Sequence, residues 1–290
     1  MGRVGCGVGD GGFLRVGGVA GVLFSPRRAR HCGDADARLV DSHAGMALSS
    51  PRMMFSPALR QSLKRARRAL CESAGILRYS RPSLYDLDRK LERHLDLDGG
   101  VFIEAGANDG VRQSNTYYFE MIRGWTGLLI EPVPELAAEC RKNRRSPVVE
   151  AALAAVDEPG ATLELHVAGL MSTVTGALGD AAATSRHVAD GLAVQNERPV
   201  PRRLRVPARS LSALIDQAGL TRTIDLLSLD VEGAEAMALR GLDLARHAPR
   251  FICVETRDEA EINLLLAAHY DLYEVLTDVG THRDLLFKRR

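Results

Sequence analysis

Past residue 100 the chain falls into short, nearly continuous apolar runs, separated by stretches with an apolar position every three or four residues. Residues 101–105, 127–131, 148–151, 224–230 and 251–255 predict buried strands. Residues 115–123, 134–143, 210–218, 234–240 and 258–268 predict helices; Gly124 and Gly241 stop two of them and Pro134 opens another. Residues 161–167 alternate as one strand of an inserted hairpin, 204–206 read as an edge strand, and 270–276 with 284–288 as a closing pair. Residues 169–201, rich in Gly, Ala, Ser and Thr and opening on Met171-Ser-Thr173, have no period and read as a long loop or lid that sets acceptor choice. Apolar strands alternating with helices predict a parallel sheet covered on both faces. The fold class is therefore α/β, doubly wound, over residues 98–290. Ahead of it, residues 56–97 read as a helical segment with helices at 57–70 and 83–95, and residues 1–55 as a disordered, low-complexity tail.

Composition changes this picture in one respect. The 290 residues carry 38 Lys+Arg against 37 Asp+Glu, a net charge of +1. The sum hides a split: residues 1–70 hold 12 basic and 4 acidic residues (+8), and residues 71–290 hold 26 and 33 (−7). The glycine-rich, basic start lies outside the folded part, and Met46, Met53 and Met54 offer later starts. The basic helix at 57–70 reads as a solvated face. An acidic domain excludes a nucleic-acid partner. Five scattered cysteines without a C-x-x-C fit neither a disulfide framework nor a zinc site, so the expected compartment is the cytoplasm. No run of 18 apolar residues occurs, and no membrane insertion is expected.

In a doubly wound sheet the ligand lies beyond the carboxyl ends of the strands. Four strand ends deliver a carboxylate there. Glu104 leads into Gly106-Ala-Asn108-Asp109-Gly110, Glu131 precedes Pro132, Asp230 precedes Val231-Glu232-Gly233, and Glu255 closes the fourth. Packing does not account for four acids at one edge, since acids are rarely buried without a reason. The glycine turn lacks the second glycine of the dinucleotide fingerprint; Asn108 stands in its place. That argues against a nicotinamide-dependent oxidoreductase. Nothing supplies a Lys or Arg for a pyrophosphate, and Glu104 would repel one. A nucleoside that carries a cation fits better. Glu131, 25 residues past Gly106, stands where an acid takes two ribose hydroxyls. S-adenosyl-L-methionine meets these terms: ribose on Glu131, sulfonium and ammonium near Glu104 and the loop carbonyls, adenine between apolar walls.

The blocks Glu104-Ala-Gly-Ala-Asn-Asp-Gly110, Ser114-Asn-Thr116, Gly124-Trp-Thr-Gly-Leu-Leu-Ile-Glu-Pro132 and Ile224-Asp-Leu-Leu-Ser-Leu-Asp-Val-Glu-Gly-Ala-Glu235 resemble the FkbM family of S-adenosylmethionine-dependent methyltransferases. The resemblance covers roughly residues 98–290, apart from 169–201. It implies a class I, Rossmann-like methyltransferase fold with a mostly parallel seven-stranded sheet. It also implies O-methylation of a hydroxyl on a sugar, glycan or natural product. The block around Ser114 and Trp125 is also similar to Star-type domains, which share the fold without an established enzymatic role. A non-catalytic binding module is therefore the alternative.

Methyl transfer to a hydroxyl requires alignment of the acceptor and removal of its proton. Asp230 and Glu232 leave the central strand and are the candidate catalytic pair. Capping the following helix is their structural account, but a cap does not require both. Glu104, Gly106, Asn108, Asp109, Gly110, Glu131, Pro132 and Asp230 make up the candidate cofactor set. Ser114, Asn115 and Glu255 are the candidate acceptor contacts; Ser114 and Asn115 equally suit a cap on the first helix. A carboxylate set of Asp230, Glu232 and Glu255 could ligate a metal, but nothing demands one and none is assigned. Trp125 suits core packing, and His187 and His247 suit surface positions.

Overall fold

The computed structural model describes residues 56–167, 172–175 and 201–290. In chain order the N-terminal part comprises α1 (Pro57–Ser73), α2 (Leu87–Glu92), β1 (Val101–Ala105), α3 (Tyr117–Met121), β2 (Thr126–Ile130), α4 (Pro134–Asn143) and β3 (Val148–Val149). Four strands follow: β4 (Ala152–Leu153), β5 (Thr162–Val167), β6 (Thr173–Val174) and β7 (Arg202–Arg209). The C-terminal part comprises α5 (Leu211–Ala218), β8 (Leu226–Leu229), α6 (Glu235–Arg240), β9 (Phe251–Thr256), α7 (Glu259–Leu266), β10 (Tyr270–Asp278) and β11 (Arg283–Arg289).

Seven strands form the main sheet in the order β3-β2-β1-β8-β9-β11-β10. β3, β2, β1, β8 and β9 run parallel, and β11 is antiparallel to both neighbours. The doubly wound, mostly parallel seven-stranded sheet expected from the sequence is the one that forms. Side-chain alternation sorts each strand between two cores, because successive residues point to opposite faces. Ile103, Leu128, Leu227, Ile252 and Leu285 pack under α5, α6 and α7 with Leu214, Leu239 and Ile262. Phe102, Leu129, Leu226, Cys253 and Leu286 pack on the other face with Leu87, Leu91, Phe119 and Cys140. Trp125 joins that second core, its indole N–H donating to the Leu97 carbonyl at 2.8 Å.

A second sheet, β4-β7-β5-β6, encloses its own small core of Ala152, Leu165, Val174 and Val206. It changes three expectations. The strand expected at 148–151 is only two residues long, β3 in the main sheet, and the chain then passes into the small sheet as β4, just beyond the expected range. The short edge strand expected at 204–206 is eight residues long and central, pairing β4 on one side and β5 on the other. Its arginines hid it: Arg203 and Arg205 face out while Val206 and Ala208 are buried. The start of the expected lid forms β6, paired with β5. The remainder of that lid, the tail at 1–55, Cys6, Cys32 and His187 lie outside the described residues.

Two helices are shorter than their periodicity. The helix expected at 83–95 is α2, because Tyr85 (φ 52°) and Asp86 (φ 56°) hold left-handed backbone just before it. The helix expected at 115–123 is α3, because the residues before it are engaged elsewhere, as described below. Helix α1 is largely solvated, with Leu59, Leu63 and Leu70 exposed. Arg65 ties it to Glu139 of α4 at 3.0 Å, and Glu72 accepts hydrogen bonds from Ser80 and from the Tyr117 hydroxyl. Among the described residues no helix is long and apolar enough to cross a membrane.

Asp88 in α2 is only 1% exposed, and neither carboxylate oxygen has a side-chain hydrogen-bond partner among the described residues. Burial pushes its carboxyl up to about 6, against a partial offset from Arg81. A folded-state value above the ordinary one means stability that is complete at low pH and lost as pH rises through about 6. Asp88→Asn is therefore expected to stabilise the fold at pH 8 by about 2 kcal/mol and to have little effect at pH 4. Thermal melts at the two pH values check this; an equal effect at both would contradict it.

Candidate functional site

Sheet register brings the strand ends together. Ala105 is level with Ile130 and Leu229, Leu229 with Val254, and Val254 with Leu285. The next position on each strand is Glu131, Gly106, Asp230, Glu255 and Asp284, a row across five neighbouring strands. Adjacent strands lie about 4.8 Å apart, so each of these residues stands beside the next. Four of the five are acids. Three of those acids belong to the candidate set; Asp284, buried on β11, does not.

Gly106 is the hinge of the row. Its backbone is left-handed (φ 84°), and a Cβ built there would lie 1.8 Å from the Asp230 carbonyl oxygen. Only a glycine lets the first loop pass this close to the central strand. Asn108 is left-handed as well (φ 51°), which Asn tolerates better than most residues. Asp109 folds the turn on itself: its Oδ1 accepts from the backbone N–H of Val111 (2.9 Å) and Arg112 (2.7 Å). Gly110 (φ 80°) packs where a Cβ would meet Arg144 and Cys140.

Beside this loop lies a partly open cleft of about 780 Å³, the solvent at its mouth included. Gly106, Asn108, Glu131, Pro132, Asp230 and Glu232 line it. Ile130, Leu136, Leu153, Leu165 and Val174 add apolar walls, so the small sheet supplies one side. Arg112 also lines the cleft, a cation just past the glycine loop that the sequence reading overlooked. Glu131 is 5% exposed; its oxygens accept from the backbone N–H of Asn108 (2.8 Å) and Val133 (2.9 Å). Burial nevertheless pushes its carboxyl up to about 7.

Glu104 is placed differently from the expectation. It points away from the cleft into a buried polar knot. Its carboxylate accepts from Ser114 Oγ (2.9 Å), Thr116 Oγ1 (2.6 Å), the Asn115 backbone N–H (2.8 Å) and Arg144 Nη1 (3.0 Å). Arg144, with a fully buried side chain, also pairs with Glu120. Four donors satisfy this buried acid within the fold. It anchors the loop and the start of α3 rather than facing a ligand. Ser114 and Asn115 belong to the same knot and do not line the cleft. Ser114 Oγ accepts from the backbone N–H of Tyr117 (3.0 Å), and Asn115 bonds to Ser83 and Ser228. Ser114→Ala is expected to cost about 1–2 kcal/mol of stability and to change cofactor affinity less than about twofold. Denaturant unfolding and calorimetry together test this; a large loss of affinity with unchanged stability would restore Ser114 to the cleft.

The turn after the central strand is braced by Glu235, whose carboxylate accepts from the backbone N–H of Val231 (3.1 Å) and Gly233 (3.0 Å). The helix that follows has Ala234 at its cap position and no side-chain cap, and Glu235 instead holds the turn before it. Glu232 has left-handed backbone (φ 53°). Its carbonyl accepts from Thr173 Oγ1 at 2.7 Å, and Arg257 approaches its carboxylate at 3.7 Å. Asp230 is pushed well above the carboxylate range by burial first, then by Glu255, Glu232, Glu235 and Asp284. Glu255 rises to about 8 for the same reasons, burial first and then Glu232 and Asp284. His247 pairs with Asp216 at 3.1 Å and does not line the cleft. Among the described residues no group of three or more His, Cys, Asp or Glu could hold a metal ion.

A glycine-hinged first loop, an acid at the second strand end and a half-buried acid at the end of the central strand now stand on one cleft. The model of the Methyltransferase FkbM domain matches residues 104–288, more than half of the chain. The chain belongs to the FkbM methyltransferase family. It is an S-adenosyl-L-methionine-dependent methyltransferase by family, and the match begins at Glu104, leaving 56–97 outside it. No curated protein matches the chain. Among solved structures it is similar to a TehB-like S-adenosylmethionine-dependent methyltransferase of Corynebacterium glutamicum (12% identity, 81% of this chain and 100% of that one, TM-score 0.36). Another is an S-adenosylmethionine-dependent methyltransferase of Aquifex aeolicus (13%, 81% and 98%, 0.34). A third is fibrillarin of Aeropyrum pernix in complex with S-adenosyl-L-methionine (12%, 70% and 76%, 0.37).

The residues of this FkbM domain suit that cofactor. The glycine cradle at Gly106 leaves room against the central strand, and Glu131 keeps a lone pair on each oxygen for a ribose hydroxyl. The apolar walls suit an adenine. Sequence reasoning missed Arg144, Glu235 and Asp284. Glu235 stood inside the recognised block; Arg144 sits in a basic run that reads as a solvated helix end, and only sheet register brings Asp284 to the edge.

Proposed function

We propose that this FkbM-family protein O-methylates a hydroxyl of a small-molecule or glycan acceptor. One observation carries the reading: Asp230, at the end of the central strand, lines the same cleft as Gly106, Glu131 and Glu232, whereas Glu255 does not line it. In this reading Glu131 holds the ribose, Gly106, Asn108 and Pro132 line the nucleoside, and the small sheet covers it. Bound S-adenosyl-L-methionine supplies an electrophilic methyl group on a sulfonium.

Asp230 takes the proton of the acceptor hydroxyl. Burial and the acids around it raise its proton affinity above that of an ordinary carboxylate, which suits a group that accepts a proton. Glu232, on the same turn, orients the acceptor, and Glu235 keeps the turn in place. Glu104 acts on the reaction only by positioning the loop. The small sheet and the Thr173–Glu232 contact exclude water from one side of the cleft.

Calorimetry with S-adenosylhomocysteine, followed by labelled-methyl transfer into hydroxylated acceptors from a cell extract, tests the proposal. Binding with transfer to oxygen is the expected result. No binding overturns it, and binding without transfer to any acceptor favours the non-catalytic module.

A further inference from the structure

Helix α1 is amphipathic the wrong way round. A surface helix ordinarily turns its apolar stripe to the core and its charges to water. At 3.6 residues per turn, Leu59, Leu63, Ala66 and Leu70 share a stripe about 60° wide, and Arg65, Arg68 and Glu72 share another about 170° away. The charged stripe is the one that packs on the domain. Arg65 pairs with Glu139 at 3.0 Å, and the Arg68 guanidinium stands 5.2 Å from the Tyr117 ring centre. Glu72 accepts from Ser80 (2.9 Å) and from the Tyr117 hydroxyl (3.0 Å). The leucines are left outside: Leu59 is 44% exposed, Leu63 50% and Leu70 71%. Ile76 and Leu77, just past the helix, are exposed as well.

Charge decides what this outer face meets. The helix holds five basic residues and one acid. The acid, Glu72, is engaged inward, as are Arg65 and Arg68. Arg60, Lys64 and Arg67 are exposed along one flank of the leucine stripe. The outer face therefore presents apolar side chains bordered by cations, with no acid among them. Acyl chains beneath anionic headgroups complement both features, because the leucines enter the boundary while the cations meet phosphates. Other covers complement one feature at most. Nucleic acid meets the cations and leaves the leucines in water. A second copy seated stripe to stripe brings three more cations and no acid. Residues 1–55 carry seven Arg against four Asp, the same sign again.

We propose that α1 docks the protein on an anionic membrane surface. The helix lies flat, with Leu59, Leu63 and Leu70 toward the acyl chains and Arg60, Lys64 and Arg67 against lipid phosphates. Its charged inner face stays on the domain, so it binds the surface without crossing it. None of these residues lines the cleft, and the docking is independent of the reaction carried out there.

Co-sedimentation of the full chain with vesicles tests the docking. One set is phosphatidylcholine alone, and the other contains phosphatidylglycerol in about equal proportion. Binding to the anionic set is expected to be at least about tenfold tighter, and to weaken about tenfold as salt rises to about 0.5 M. Leu63→Ser combined with Leu70→Ser should weaken it about tenfold or more, and Arg60→Gln combined with Lys64→Gln by a similar factor. All four positions are exposed, so both double variants should melt with the wild type. Equal binding to the two vesicle sets, binding to neither, or binding that no variant weakens overturns the inference. So does loss in only one double variant; were it the charge variant, any polyanion, nucleic acid included, would serve. A dimer seen by sedimentation velocity that the leucine variant dissociates would also overturn it and give the stripe to a second copy. Should either variant misfold, the vesicle and salt comparisons on the wild type still decide.

Discussion

Replacing Glu131 by Ala is expected to weaken S-adenosyl-L-methionine binding about 100-fold, the largest loss of affinity available from a single side chain in the cleft. The carboxylate does two things at once. It accepts from the backbone N–H of Asn108 and Val133, which fixes the first loop against the second strand end. Its remaining lone pairs face the cleft, where two ribose hydroxyls would each donate to a charged acceptor, at about 1.5–3 kcal/mol apiece. Glu131→Gln should lose nearly as much, because the amide would turn an N–H₂ toward one of the backbone donors. pH gives a separate check. The carboxyl titrates near 7 in the free protein, and the ionised form is the better ribose acceptor. Wild-type affinity should therefore fall as pH drops through 7, and Glu131→Gln should flatten that dependence. Calorimetry across pH 5.5 to about 8.5 decides it. A variant that binds within about threefold of wild type would remove Glu131 from the ribose position.

How much of this could be read from the chain depends on what held each residue in place. The main sheet was legible because its strands are apolar on both faces, and a run such as Val101-Phe-Ile admits few other readings. Gly106 and Glu131 were legible because their demands are local: a turn that passes close to a neighbouring strand, and an acid one strand away. Glu104 was misplaced for the opposite reason. Its donors come from Ser114, Asn115, Thr116 and Arg144, up to forty residues away in sequence, so nothing local marks it as an internal anchor. The small sheet was half visible. β5 alternates cleanly, but β7 carries arginines on its outer face and looks like loop until its partner is known. Asp284 looked like one more residue of a closing strand, and its position in the acid row follows from the antiparallel return of β11 alone.

Asp230→Asn is expected to lower the rate of methyl transfer about 1000-fold while leaving cofactor affinity close to wild type. Asn matches Asp in shape, and the contact that constrains Gly106 involves the Asp230 backbone carbonyl, which the substitution keeps. The cleft should therefore survive, and only the capacity to take a proton is removed. The row supplies a readout independent of turnover: Glu255 raises the proton affinity of Asp230, so Glu255→Gln should move the NMR titration of Asp230 downward. In the wild type, Asp230 and Glu255 compete for protons, and the rate should rise with pH as the central acid gives up its own. Asp230→Asn should lose that rise together with the rate. Glu232→Gln, two residues further on in the same turn, should retain the pH profile and lose rate more modestly, as expected of a residue that orients the acceptor. A full rate in Asp230→Asn would mean that the acceptor proton leaves by another path and that the acid serves only to shape the strand end.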